Sequence, residues 1–271
     1  MDFSDDQIDR YARHLVLPEI GEAGQERLLK ARVLVIGAGG LGSPLLLYLA
    51  AAGIGTLGVV DDDEVDLSNL QRQVLHDTAN IGMSKVESAR RRLAEINPEV
   101  KVEAHNTRLT PDNALDLVSR YDLIADGSDN FPTRYLANDA CYLAQKTLVS
   151  AAIMRFDGQL STYKAHDGKT PCYRCLFGPQ PGDPKESCAD VGVLGALAGS
   201  LGALQANEVI KEVLGIGESL AGSLLLFDAL ATTFRKVQAP RDPDCALCGS
   251  QATIRDLKTM DYRTGEALCA V

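Results

Sequence analysis

The chain has 271 residues, 45% of them hydrophobic, so it is long enough and apolar enough to bury a sizeable core. Its net charge of −10 at pH 7 argues against nucleic-acid binding as the main role, because a phosphate backbone attracts basic surfaces. The acidic start has no apolar targeting core, and Pro44 and several glycines interrupt the apolar stretch 41–60, so we expect a cytoplasmic protein with no membrane span.

The first half of the chain alternates predicted helices and strands. Ser4 can cap a first helix, and a second helical segment covers 22–30. Ser84 has capping-box spacing with Glu87 and predicts a helix that ends near Asn97. The predicted strands are 33–36, 56–60, 100–104, 123–125 and 147–153, and the further helices lie between 42 and 53, after 110–111 and over 133–144.

This alternation predicts an α/β fold, a Rossmann-like and mostly parallel sheet with helices on both faces. After residue 153 the pattern changes. Residues 158–164 alternate like an antiparallel strand, 191–214 predict an apolar helix, and 223–227 predict another strand. We therefore expect one mixed sheet extended by C-terminal antiparallel strands.

A glycine-rich turn joins the first predicted strand to the next helix. Gly37, Gly39 and Gly42 have the spacing G-x-G-x-x-G, which lets backbone N–H groups approach an anion at the positive end of that helix. Asp61 lies nineteen residues past Gly42, at the end of the next strand, where a carboxylate can accept hydrogen bonds from ribose hydroxyls. These features suit NAD and ATP equally well.

Other polar residues favour a nucleoside triphosphate. The guanidinium of Arg72 can clamp phosphate oxygens. Lys85 lies in the first turn of a helix, where a cation without a partner is unfavourable unless an anion such as a triphosphate is near. Asp126 and Asp129 follow a buried strand, where open α/β sheets bind ligands and a carboxylate can hold magnesium.

Four cysteines form two C-x-x-C pairs, Cys172 with Cys175 and Cys245 with Cys248. Four thiolates complete a tetrahedral zinc site with no open position, so the spacing predicts one structural zinc held in a four-cysteine knuckle. Two redox motifs are the alternative, but we expect neither pair to open a helix after a strand.

Eight short motifs follow one another along the chain. They are RYARH (10–14), GAGGLG (37–42), DDDEVDLSNLQRQ (61–73), GMSKVESA (82–89), DGSDN (126–130), PCYRC (171–175), ESCADVG (186–192) and CALCG (245–249). In order and spacing the chain resembles the MoeB/ThiF family of the ubiquitin-activating-enzyme superfamily, over about residues 4–249.

The resemblance implies ATP-dependent adenylation of the C-terminal glycine of a small ubiquitin-like sulfur carrier that ends in Gly-Gly, with release of pyrophosphate. Asp129 would position Mg²⁺, and Arg13 would reach into the partner subunit's site in a homodimer. Considered alone, Arg13 is an exposed helix cation. The residues expected at ATP are Gly37, Gly39, Gly40, Gly42, Asp61, Asn69, Arg72 and Lys85.

The same resemblance suggests how sulfur is handled. The favoured carrier is the small subunit of molybdopterin synthase, followed closely by the thiamine-pathway carrier. Cys188 matches the candidate nucleophile that takes the acyl group or a persulfide, and we favour that role over an inert thiol. We assign residues 1–249 to the adenylyltransferase domain and 250–271 to a tail. A separate sulfurtransferase or cysteine desulfurase would then supply any persulfide.

Three alternatives stay open. An NAD(P)-dependent Rossmann oxidoreductase would leave Arg72, Lys85 and the cysteine quartet without a role. A non-enzymatic, zinc-stapled interaction protein would require an empty phosphate loop. A relative that activates a carboxylate on tRNA with the same ATP machinery is disfavoured by the acidic charge and the cysteine pairs.

Overall fold

A single sheet forms the centre of the computed structural model, which describes residues 3–181, 192–258 and 260–262. Its strands in these segments are Arg32–Ile36 (β1), Thr56–Asp61 (β2), Lys101–Asn106 (β3), Leu123–Asp126 (β4), Thr147–Met154 (β5), Asp157–Tyr163 (β6), Ser223–Asp228 (β7) and Thr233–Gln238 (β8). Their order in the sheet is β3-β2-β1-β4-β5-β6-β7-β8. Pairing is parallel from β3 across to β5 and antiparallel from β5 to β8.

The helices of the described segments connect these strands. They are Asp5–Leu15 (α1), Gly21–Lys30 (α2), Gly42–Ala51 (α3), Lys85–Ile96 (α4), Ala114–Ser119 (α5), Phe131–Leu143 (α6), Tyr173–Phe177 (α7) and Gly195–Leu214 (α8). None of these helices combines the length and the hydropathy that a bilayer crossing requires.

Alternate residues of β1 contact different helices because successive side chains of a strand point to opposite faces. Val33 and Val35 are buried in a cluster with residues of α2, α3, α4 and α8. Leu34 and Ile36 are buried in a second cluster, with residues of α5 and α6. The predicted Rossmann-like sheet with helices on both faces and C-terminal antiparallel strands is therefore confirmed.

The predicted start of the long apolar helix at residue 191 is too early, since α8 begins at Gly195. Val193 instead forms a parallel bridge with Arg155 in the turn between β5 and β6. The Arg155 N–H donates to Gly192, and the Leu194 N–H donates to the Arg155 carbonyl. These bonds hold the backbone extended and delay the helix.

The capping box predicted at Ser84 does not form. The helix α4 begins at Lys85 as expected, but the Ser84 side chain makes no capping hydrogen bond. Ser84 forms an antiparallel bridge with Glu64 instead, and the Lys85 N–H donates to the Asp63 carbonyl at 2.9 Å. Backbone pairing with the segment after β2 therefore replaces the side-chain cap.

Two elements have no counterpart among the predicted ones. The strand β8 is exposed along its whole length, so it lacks the apolar alternation that marks a half-buried strand. Phe234 stacks on Phe227 across the β7–β8 pair, with ring centroids 4.2 Å apart. The helix α7 has only five residues, too few for a helical periodicity to show.

Residues after the second cysteine pair pack against the rest of the chain. Ile254 belongs to the buried cluster around the cysteines, and Leu257 and Tyr262 belong to the cluster with α5 and α6. The Tyr262 hydroxyl donates to Asp139 of α6 at 2.5 Å. The described part of the segment 250–271 is thus held on the same core as the sheet.

The first helix after β1 packs very tightly on the turn that precedes it. A Cβ added at Gly42 would lie 1.9 Å from the Gly37 carbonyl oxygen. We expect Gly42→Ala to lower the free energy of unfolding by about 1–3 kcal/mol, because the helix must move away from the turn. Urea unfolding would measure this change.

Gly199→Ala is the matched control, since a Cβ at Gly199 in α8 would meet nothing within 4 Å. This substitution should leave the free energy of unfolding unchanged or raise it by about 0.5–1 kcal/mol through helix propensity. Equal unfolding midpoints for the two variants would contradict the packing argument.

Candidate functional site

A cavity of about 520 Å³ lies at the carboxyl ends of the parallel strands. The strand order reverses between β1 and β4, which is where open α/β sheets bind their ligands. Gly37 follows β1 with a φ of +90°, and a Cβ there would lie 3.2 Å from the Gly127 carbonyl oxygen. The floor of the cavity is therefore backbone, which suits an anion that binds N–H groups.

Most of the predicted site residues line this cavity. They are Gly37, Gly39, Gly40, Asp61, Asn69, Arg72, Lys85 and Asp129. Gly42 is not among the lining residues and serves the packing of α3 instead. Arg13 is exposed in the last turn of α1 and is likewise absent from the described lining. Cys188 lies outside the described residues.

Asp61 ends β2 with its carboxylate held by backbone donors. Its Oδ2 accepts from the Ala38 N–H at 2.8 Å, and its Oδ1 accepts from the Asp63 N–H at 2.9 Å. Burial raises the pKa of Asp61, while Lys85 and the two N–H donors oppose that rise. Each carboxylate oxygen retains a lone pair. The group is therefore oriented and still able to accept a hydroxyl hydrogen.

Arg72 lies over the glycine loop. A Cβ at Gly40 would come within 3.5 Å of the Arg72 Cγ. The guanidinium donates to the Ser68 carbonyl at 3.2 Å and to the Asn69 Oδ1 at 3.3 Å. The same Oδ1 accepts from the Gln73 side chain at 2.7 Å. Asn69 thus orients both side chains towards the loop, and Gln73 is a lining residue that the sequence analysis missed.

Lys85 has an acidic partner within the protein, so the argument that only a triphosphate could pair with it does not hold. Its Nζ lies 2.7 Å from the Asp63 Oδ2, in a pair whose side chains are 6% and 67% exposed. Solvent reaches Asp63, so this ion pair contributes little stability. Lys85 nevertheless lines the cavity, where its charge can also act on a ligand.

The sequence analysis missed a buried arginine that lines the cavity. Arg134 of α6 is 2% exposed, and its Nη1 donates to the Ala151 carbonyl at 2.7 Å and lies 3.4 Å from the Asp126 Oδ2. That oxygen also accepts from the Ser150 hydroxyl at 2.8 Å. Asp126 is therefore fully engaged inside the protein and is not a lining residue. The available signal was that Arg134 is the one charged residue in the first eight residues of α6.

Asp129 lies at the exposed rim of the cavity, just before α6. The next residue, Asn130, caps α6 by accepting from the Thr133 N–H at 2.9 Å, and its amide lies 3.4 Å from Asp129. The Asp129 carboxylate thus lies beside the N-terminus of α6, next to its capping residue. Oxygen donors in this position suit Mg²⁺.

The four cysteines of the C-x-x-C pairs converge. Their sulfur atoms lie 3.4–3.8 Å apart along four of the edges that join them. A disulfide would need about 2.05 Å. A tetrahedron with metal–sulfur bonds of about 2.3 Å has edges of about 3.8 Å, so the donor set fits zinc. Cys172 occupies the N-cap position of the short helix α7 without a capping hydrogen bond from its side chain. Residues 164–171 separate this helix from β6, so the pair does not open a helix directly after a strand.

An ion pair connects the cysteine cluster to the helix that begins at the cavity. Arg174, inside the first pair, makes two hydrogen bonds to Asp139 of α6, at 2.8 Å and 2.6 Å. Both side chains are at most 4% exposed. Burial lowers the pKa of Arg174, but hydrogen bonds and charge interactions with Asp139 and Tyr262 together outweigh burial and raise this pKa. Because α6 starts at the rim, the cluster and the cavity share one rigid element.

Comparison with known proteins decides the family. Residues 11–247 match the sequence profile of the ThiF family. The chain belongs to the ThiF family. This result confirms the resemblance drawn from the eight motifs.

Relatives of this ThiF-family chain differ in length. It is 50% identical over 276 residues to the sulfur carrier protein adenylyltransferase of Thermus thermophilus, a match that covers 100% of both chains. It is 55% identical over 261 residues to the adenylyltransferase and sulfurtransferase MOCS3 of Sus scrofa, covering 96% of this chain and 56% of that protein. The chain thus spans the whole bacterial relative and about half of the pig relative.

Solved structures share the architecture. Escherichia coli MccB with MccA-N7isoASN is 25% identical and has a TM-score of 0.78, covering 92% of this chain and 76% of that chain. The MccB structure with ATP is 25% identical and has a TM-score of 0.76, covering 89% and 73%. The parallel sheet and its helices therefore have the same architecture as these MccB structures.

Proposed function

We propose that this ThiF-family chain is an ATP-dependent adenylyltransferase acting on the C-terminal glycine of a small ubiquitin-like sulfur carrier that ends in Gly-Gly. The observation that carries the proposal is the convergence of Arg72 and Lys85 on a glycine loop at the switch point of the sheet. The named activity of the full-length bacterial relative supports it. Hydride transfer from a pyridine nucleotide would not need two cations and a metal-binding carboxylate around the phosphates.

The reaction joins two anions. A carboxylate oxygen of the carrier attacks the α-phosphorus of ATP, an O–P bond forms, and the bond to the bridging oxygen breaks, with its electron pair leaving on pyrophosphate. Arg72 and Lys85 screen the repulsion and stabilise the departing charge, and Asp61 holds the ribose. The attacking carboxylate is already ionised, so no general base is needed.

The proposal includes two metal sites. Asp129 would hold Mg²⁺, which supplies charge neutralisation at the phosphates when bound. Cys172, Cys175, Cys245 and Cys248 would hold one structural zinc per subunit, since four thiolates leave no open position.

The partners follow from the same proposal. The favoured carrier is the molybdopterin synthase small subunit, with the thiamine-pathway carrier close behind, and a sulfurtransferase or cysteine desulfurase would supply sulfur. We also propose a homodimer in which Arg13 completes the partner subunit's site, because one chain leaves Arg13 away from its own cavity. The adenylyltransferase domain would comprise 1–249 and the tail 250–271. Reduced cysteines favour a cytoplasmic location.

The reaction can be tested by ATP–pyrophosphate exchange with Mg²⁺, adding in turn each small ubiquitin-fold protein ending in Gly-Gly from the same genome. Exchange that depends on a carrier is expected. We expect Arg72→Ala and Asp129→Asn each to lower this exchange by about 100-fold or more, because phosphate and metal contacts are lost. Circular dichroism would check that both variants remain folded.

Arg91→Ala provides the control, because Arg91 pairs with Glu87 on the exposed face of α4 and does not line the cavity. Its exchange rate should equal that of the unsubstituted chain. Normal exchange by Arg72→Ala or Asp129→Asn would refute the site assignment. No exchange with any carrier, from folded and zinc-loaded protein, would refute the proposed function.

Cys188 should separate the two stages of sulfur activation. Cys188→Ala is expected to keep carrier-dependent exchange while losing transfer of sulfur to the carrier, measured as thiocarboxylate by mass spectrometry. Cys141→Ala is the comparison variant, since Cys141 is buried in α6 and belongs to the core. Loss of exchange in Cys188→Ala would contradict this separation of roles.

Removal of zinc should destabilise the fold, because the metal would join the cysteine segments 172–175 and 245–248. We expect a chelator to lower the melting temperature by more than about 5 °C. Cys245→Ser should already melt at the lower temperature and respond little to the chelator. An unchanged melting temperature after zinc loss, verified by elemental analysis, would eliminate the structural zinc.

A further inference from the structure

A buried histidine lies directly behind the glycine loop. His76 is 6% exposed, and both of its ring nitrogens are engaged. The Nε2 lies 2.8 Å from the Ala38 carbonyl oxygen, in the middle of the loop. The Nδ1 lies 2.8 Å from the Ser88 hydroxyl on α4. None of the cavity functions described above uses this residue.

These two contacts define the tautomer of His76. A carbonyl oxygen can only accept, so the Nε2 carries the hydrogen that it donates to Ala38. The Nδ1 of the neutral ring then accepts the Ser88 hydroxyl hydrogen. Burial lowers the pKa of His76, and the Lys85 charge lowers it further, against opposing contributions from Ala38 and Asp77. Burial in this position therefore favours the neutral ring, with its hydrogen on the Nε2.

The loop peptide is held from both sides. The Ala38 N–H donates to the Asp61 carboxylate at 2.8 Å, while the Ala38 carbonyl accepts from His76. The described peptide bonds are trans. In a trans peptide the carbonyl and the following N–H point in opposite directions. Because the Ala38 carbonyl points to buried His76, the Gly39 N–H points away from His76, and Gly39 lines the cavity.

We propose that His76 is a positioning residue that holds the Ala38–Gly39 peptide so that the Gly39 N–H donates to a phosphate of the bound nucleotide. Within the described segments the Gly39 N–H has no protein acceptor, which leaves it available for such a bond. The proposal rests on the proposed function of the cavity and assigns one of its phosphate contacts to a residue behind the loop.

The Ser88 contact gives His76 a second effect. Ser88 lies three residues after Lys85 on α4, so the two are on adjacent turns of the helix. His76 therefore links the glycine loop to the helix that carries a phosphate-directed cation. One side chain positions a neutral donor, Gly39, and a charged one, Lys85, with respect to each other.

Two substitutions separate the two bonds of His76. In His76→Gln the side-chain amide reaches the position of the Nε2, so it can still donate to Ala38. In His76→Asn the shorter amide reaches only the position of the Nδ1, so it keeps Ser88 and loses Ala38. Calorimetric titration with Mg-ATP and with adenosine, without a carrier, measures the phosphate contribution directly.

We expect His76→Asn to weaken Mg-ATP binding by about 10- to 100-fold, the range for losing a hydrogen bond to a charged group. Adenosine has no phosphate, so its affinity should change by less than about twofold. His76→Gln should bind Mg-ATP within about threefold of the unsubstituted chain. A loss of affinity in His76→Asn that is confined to ATP, together with normal ATP affinity in His76→Gln, would identify a positioning role.

Equal losses of ATP and adenosine affinity in His76→Asn would mean that the residue only maintains the fold, and would overturn the proposal. Full ATP affinity in this variant would overturn it as well. If His76→Asn does not fold, His76→Leu tests the same arrangement, because leucine fills much of the same space and has no group that donates to the Ala38 carbonyl. There, weaker ATP binding with unchanged adenosine affinity supports the proposal, and unchanged ATP affinity overturns it.

The outcome is independent of the test of the reaction. Carrier-dependent exchange with unaffected ATP binding in His76→Asn would overturn the positioning role alone. ATP binding that depends on His76, without exchange for any carrier, would overturn the adenylation proposal and leave the positioning role standing. A chain that binds no ATP would overturn both.

Discussion

The close approach of the turns after β1 and β4 is the constraint on which the site depends. There is no room for a Cβ at Gly42, because it would lie 1.9 Å from the Gly37 carbonyl oxygen. There is little room for a Cβ at Gly37, because it would lie beside the Gly127 carbonyl. Backbone N–H groups and the start of α3 therefore form the floor of the cavity. An anion bound there meets peptide dipoles before it meets any side chain.

Around that floor, charged groups are oriented by neutral and acidic neighbours. Asn69 holds Arg72, and Asp63 holds Lys85, so two cations face one anion site on a chain whose net charge is −10. Local arrangement rather than overall charge decides what binds, since solvent screens distant charges within about 10 Å. His76 is buried and neutral, so it would hold the Ala38–Gly39 peptide in position without adding charge to the site.

The cysteine cluster and the cavity are joined by α6. Asn130 caps this helix at the rim of the cavity, and Asp139, two turns later, accepts two hydrogen bonds from Arg174 between the first pair of cysteines. Tyr262 donates to the same Asp139. Removing one partner from such a buried ion pair leaves an uncompensated charge, which is strongly destabilising. The helix is thereby anchored at both ends.

The sequence by itself determined the alternating strands and helices, the glycine turn, the cysteine pairs and most residues at the cavity, because each has a local signal of period, spacing or chemistry. Tertiary structure alone decided the rest. The exposed β8 exists through pairing with β7, Ser84 bridges Glu64 instead of capping, and Lys85 meets Asp63. Arg134 and His76 reach the site only because residues distant in the chain surround them, and no local pattern encodes such contacts.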